Sequence, residues 1–139
     1  MEQLRMRALC AGFCASLALL GPVRGALPAA STVVSGYRCT IVGTAAGDAL
    51  AGTPGRDVIC GLGGNDVISG KDGNDVVLGG AGADFIETGG GSDVVLAGSG
   101  NDTIRAWDGS PDRIDGGPGI DHAWRDGTVD TVKNVERIG

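Results

Sequence analysis

The chain has one histidine, His122, in 139 residues, and no H-E-x-x-H pair. Acid–base chemistry at a lone imidazole needs partners that its neighbours do not supply, and a zinc protease is excluded. No P-loop is present. Asp72-Gly73-Asn74-Asp75 lacks both the spacing and the terminal Glu of an EF-hand loop. Long apolar runs are missing as well. The longest, residues 8–20, has thirteen residues, too few to span a bilayer. Regular outward threonines, which an ice-binding solenoid would show, reduce to Thr103 and Thr131. Positive charge is scarce: 11 Lys and Arg stand against 17 Asp and Glu. That balance argues against nucleic acid and anionic membranes as partners. We expect no enzymatic activity.

What is abundant is glycine, 27 residues, and it is periodic. Written in nines from Gly52, the chain reads GTPGRDVIC, GLGGNDVIS, GKDGNDVVL, GGAGADFIE, TGGGSDVVL, AGSGNDTIR. Gly recurs at the fourth place, Asp at the sixth and a branched apolar residue at the eighth. Three matched columns over six consecutive units point to a solenoid. The Gly-rich half of each unit turns the backbone sharply. The last three residues alternate outward, inward, outward as a short strand does. The eighth-place residue fills a narrow core: Leu50, Ile59, Ile68, Val77, Ile86, Val95, Ile104 and Ile114, with Ala123 in a weaker later unit. Stacked turns would set their Asp carboxylates roughly 4.7–4.9 Å apart. Like charges that close repel, so something positive should lie between them. A hard dication with oxygen ligands fits, because glycine turns also offer unobstructed carbonyls.

These nines resemble the G-G-x-G-x-D-x-U-x repeats of RTX (haemolysin-type) calcium-binding proteins. The resemblance implies an all-β, parallel β-roll, a right-handed β-solenoid with two nonapeptides per coil. It also implies Ca²⁺ held between turns on neighbouring coils by Asp carboxylates and turn carbonyls. Carried onto this chain, the metal-ligating candidates are Asp48, Asp57, Asp66, Asp75, Asp84, Asp93, Asp102, Asp112, Asp121 and Asp130.

The rest of the chain divides around the repeats. Residues 1–25 read as a signal peptide, with Arg5 and Arg7 before the apolar run and Gly21-Pro22 after it. The expected destination is secreted and extracellular. Removing this segment takes Glu2, Arg5, Arg7 and Arg24, leaving 8 basic and 16 acidic residues and a net charge of −8. No membrane insertion is expected after cleavage. Residues 26–42 form a lead and N-terminal cap, residues 43–111 the roll, and residues 112–139 degenerate repeats and a C-terminal cap. After Arg105 the pattern loosens: Ala106 to Asp115 holds ten residues, with Pro111 just before Asp112. Trp107 and Trp124 are expected to pack in the cap. Cys39 and Cys60, the cysteines left after cleavage, are either bridged or two free thiols. Cys39 falls on an Asp place and Cys60 on a ninth place, so a bridge requires the N-terminal end to leave the regular roll.

Two functions follow. The first is a secreted calcium-binding protein that folds as it binds Ca²⁺, because one core residue in nine is little to hold a glycine-rich chain. The second rests on parity. Odd and even units build opposite sheets, and one sheet presents Val58, Val76, Leu78, Val94 and Leu96 outward. Such an apolar face suits self-association or an extracellular partner in a structural or adhesive role.

Overall fold

The computed structural model describes residues 33–126 and 130–139. Residues 1–25, read as a signal peptide, and most of the lead lie outside the described residues. Among the described residues every regular element is a strand. A hairpin of β1 (Val33–Val34) and β2 (Tyr37–Arg38) comes first. Two parallel sheets then alternate along the chain. One holds β3 (Ile41–Val42), β5 (Val58–Cys60), β7 (Val76–Ala81), β9 (Val94–Ser99), β11 (Arg113–Asp115) and β13 (Thr131–Lys133). The other holds β4 (Ala49–Ala51), β6 (Val67–Ser69), β8 (Phe85–Glu87), β10 (Thr103–Ala106), β12 (His122–Arg125) and β14 (Arg137–Ile138). Each sheet is stacked in chain order, so every turn passes from one sheet to the other, as the two-nonapeptide coil requires.

The register is the eighth-place column. Ile59 pairs with Val77, Val77 with Val95, Val95 with Ile114 and Ile114 with Val132. Opposite them run Leu50, Ile68, Ile86, Ile104 and Ala123. All of these except Val132 are buried, and together they form one core. The extra residue before Asp112 stays within its turn. Coil partners that span it stand nineteen residues apart, the spacing returns to eighteen beyond it, and the core column remains in phase. The region read as a degenerate cap thus continues both sheets, one to Lys133 and the other to Ile138.

The N-terminal end departs from the roll. Ser35 and Gly36, at φ 50° and 85°, make the two-residue turn that closes an antiparallel hairpin. The chain then enters β3 beside β5, and Cys39 is bridged to Cys60 with Cα atoms 5.9 Å apart. This settles the open question of the thiols. It also corrects the expectation of an open apolar face. Val76 and Leu78 are 4% and 3% exposed, buried in one cluster with Cys39 and Cys60. Val34 and Tyr37 of the hairpin pack against that cluster, as do Val58, Val94 and Leu96, which are half-buried. The apolar outer positions are there to receive the chain's own lead, and burial there gains roughly 25 cal/mol per Å².

The opposite outer face is mixed, with Val67, Phe85, Glu87, Thr103 and Arg105 among its outward residues. Arg105 lies over the rings of Phe85 and Trp124, 5.3 and 5.8 Å from their centroids, and His122 stacks on Trp124 at 3.9 Å. Trp107 is 62% exposed, so the expectation that it packs in the cap is not met.

Fourth-place glycine is needed where coils touch. Gly82 has φ +127°, and a Cβ there would strike Gly64 O. Gly55, at the same place in an earlier unit, is outside the left-handed region, and a Cβ there meets nothing closer than 3.9 Å. Gly82→Ala is therefore expected to cost about 1–3 kcal/mol or more, and Gly55→Ala to stay within about 0.5 kcal/mol. Urea midpoints measured in calcium check both values. Equal costs would contradict the difference between the turns.

Candidate metal centre

Every coil turns on the segment between first place and Asp. In six turns the second and fourth places both have positive φ: Leu62 and Gly64, Lys71 and Gly73, Gly80 and Gly82, Gly89 and Gly91, Gly98 and Gly100, Gly117 and Gly119. Reversing the backbone twice in four residues brings the sixth-place Asp back under the preceding coil.

There each carboxylate makes one fixed bond. Asp66 Oδ1 accepts the N–H of Asp48, and Asp84 Oδ1 that of Asp66, each at 2.8 Å. The same edge continues through Asp102 and Asp121, also at 2.8 Å. On the other edge Asp75, Asp93 and Asp112 take the N–H groups of Asp57, Asp75 and Asp93 at 2.8 Å. Asp130 takes that of Asp112 at 3.0 Å. All ten candidate residues therefore stand in two columns, one along each edge of the roll. Pro111 does not interrupt them, because the rung is made by Asp112 itself.

The second oxygen differs from rung to rung. Oδ2 of Asp66, Asp75, Asp84, Asp93, Asp102, Asp112 and Asp121 is buried and accepts no hydrogen bond. A buried carboxylate oxygen left so is costly. It lies over the first place of its own turn: a Cβ on Gly70 would come within 2.8 Å of Asp75 Oδ2, and one on Gly79 within 2.6 Å of Asp84 Oδ2. The other three candidates have partners. Thr44 N and Oγ1 donate to Asp48 Oδ2 at 2.6 and 2.7 Å. Thr53 N and Oγ1 donate to Asp57 Oδ2 at 2.6 and 2.8 Å. Asp126 N donates to Asp130 Oδ2 at 3.0 Å.

Burial drives the pKa values of the orphaned group upward. Asp66, Asp75, Asp84 and Asp121 lie above the ordinary carboxylate value, first because water is excluded and then, at Asp66, Asp75 and Asp121, because acidic neighbours repel. The rung hydrogen bond opposes the rise without cancelling it. Asp93 is pushed to about 7, and Asp102 and Asp112 to about 6, again by burial first. These three belong to the units that begin with Thr88, Ala97 and Ala106 instead of Gly, and all three first-place residues are fully buried. Oδ2 is buried in the Gly-first turns of Asp66, Asp75, Asp84 and Asp121 as well, so the side chain at the first place accompanies the larger shift and is not what shuts water out.

A cation would meet this need. Among the described residues no three His, Cys, Asp or Glu side chains converge on a common point. An ion here would be held by few carboxylates and by main-chain carbonyls of the turns. That donor set is all oxygen and suits Ca²⁺, which takes 6–8 such ligands, better than thiolate- or imidazole-seeking metals. The chain's own residues thus fit the ion, and the bound ion would supply the charge that the stacked carboxylates lack.

Two further features escaped sequence reasoning. Asn65, Asn74 and Asn101, at the fifth place, accept N–H groups from Ala83, Ser92 and Ile120 one coil on, at 2.9, 3.0 and 3.0 Å. Asn before Asp in three units was the available signal. Glu136, read as tail, closes one edge by accepting Asp121 N at 2.7 Å. It arises after an irregular spacing of fifteen residues, which no nonapeptide count would find.

The family model for the RTX calcium-binding nonapeptide repeat (4 copies) matches residues 42–77, 69–104 and 87–123. No curated protein and no solved structure matches the chain.

A carboxyl whose pKa is raised by folding favours the fold while it is protonated. Its contribution is complete below the ordinary value of 3.8 and is lost as pH rises through about 6 for Asp102 and Asp112 and about 7 for Asp93. In chelator the urea midpoint should therefore be highest near pH ~4 and fall toward pH ~7.5. Asp93→Asn, which removes the charge and keeps an acceptor for Asp75 N, should flatten the upper part of that fall. A metal-free midpoint that rises over this range would contradict the assignment.

Proposed function

Because the chain belongs to the RTX calcium-binding nonapeptide repeat family, we propose that it is a secreted protein whose roll assembles as Ca²⁺ binds to its aspartate columns. The observation that carries this reading is the set of seven buried Oδ2 atoms that accept no hydrogen bond. At neutral pH those carboxylates oppose folding, and a dication between coils reverses the sign of that contribution. Binding energy then becomes folding energy.

The signal-peptide pattern of residues 1–25 and the Cys39–Cys60 bridge both suit an oxidising, extracellular destination. Among the described residues no helix is long and apolar enough to cross a membrane. Catalysis has no part in this reading, and His122 is engaged in a stack with Trp124. The adhesive reading, which drew on Val58, Val76, Leu78, Val94 and Leu96, has lost its main support, since the lead covers the centre of that face.

Circular dichroism tests the proposal. The strand signal should be weak in chelator at neutral pH and appear on calcium addition with a midpoint of about 10⁻⁴–10⁻³ M. Asp84→Asn should move that midpoint to higher calcium. A strand signal that is unchanged by chelator sinks the coupling of folding to binding.

A further inference from the structure

The two columns do not treat all ten aspartates alike, and the difference is built into the N-terminal turns. Asp48 and Asp57 close turns of the sequence GTAAGD and GTPGRD, with Thr at the second place. In each, the Thr main-chain N–H and hydroxyl both bond the Asp Oδ2 that stands orphaned in the next seven rungs. The hydroxyl is itself held: Thr44 Oγ1 accepts Ala46 N at 3.2 Å, and Thr53 Oγ1 accepts Gly55 N at 3.3 Å. The backbone agrees with the side chains. Thr44, Ala46, Thr53 and Gly55 all lie outside the left-handed region that the second and fourth places occupy in the six regular turns. A β-branched residue avoids positive φ, so Thr at the second place selects the other winding. Asp57 is capped from the far side too, where Thr40 Oγ1 reaches its Oδ1 at 3.4 Å.

We propose that Thr44 and Thr53 stand in for a cation: they satisfy Asp48 and Asp57 with hydrogen bonds, so that ion binding starts at Asp66 on one edge and at Asp75 on the other. The first turn on each edge has another such turn on one side only, since the segment before the Asp57 turn is the hairpin. An inter-coil ion there would find half its oxygen ligands. A hydroxyl and an N–H from the same turn need no neighbour, and they close the end without metal. The Cys39–Cys60 bridge lies beside these turns and holds the same end covalently.

The inference rests on the calcium reading, and one experiment separates the two. Ions bound to the folded protein are counted by native mass spectrometry in calcium, with circular dichroism confirming the fold of each variant. The Asp48→Asn/Asp57→Asn double variant should hold as many ions as the unaltered chain, and Asp84→Asn fewer. If the double variant does not fold, the single Asp48→Asn and Asp57→Asn variants take its place with the same expectation. Loss of an ion from any of these, or a full count in Asp84→Asn, overturns the proposal. An unaltered chain that holds no ion defeats the calcium reading itself.

Discussion

Coil is tied to coil by a hydrogen bond from the N–H of one aspartate to the carboxylate of the aspartate one coil later. Beside the parallel strand ladders that space the coils, this bond brings both columns into line and fixes Oδ1. It also creates the main difficulty of the fold, because fixing one oxygen drags the other out of water. A fully buried Ile or Val contributes roughly 1.5–3 kcal/mol. An uncompensated buried charge costs several kcal/mol. Each nonapeptide supplies about one of each, so in the ionised, metal-free state a rung can cancel its own core residue. Protons or a dication relieve the conflict, and the raised pKa values of Asp93, Asp102 and Asp112 express the same conflict on the proton side.

The ends of the roll are handled without that device. At the start, hydroxyls satisfy Asp48 and Asp57, while a hairpin covers the outer apolar positions and a disulfide fastens it. At the finish, Glu136 and the N–H of Asp126 supply the last bonds. Terminal repeats of a solenoid lack a neighbour on one side and are commonly atypical for that reason. Here the departures from the repeat have specific chemistry. Threonine replaces the glycine that winds the turn, and glutamate replaces the aspartate that makes the rung.

Internal units tolerate variation at the first place at the cost of acidity. Gly, Thr and Ala all occur there, and the buried Thr88, Ala97 and Ala106 accompany the three most perturbed carboxyls. The second place accepts Leu62 and Lys71 at φ 76°, a conformation costing on the order of 1 kcal/mol for a side-chain-bearing residue. Those units stay in register because the columns and the core over-determine them.

By itself the sequence determined the coil. Period nine, with its Asp and branched columns, is a local pattern repeated, and each repeat meets only its neighbours, so fold, core, sheet parity and the aspartate edges were all legible in it. Cys39 and Cys60 already showed that a bridge required the end to break step. Tertiary structure decided what lies outside the period. Whether the apolar sheet faces solvent depended on where Val34 and Tyr37 of a non-repeating lead come to rest. Whether an aspartate is orphaned depended on a hydroxyl four residues earlier and on the winding of its turn. These are contacts between different kinds of segment, and no repeat count contains them.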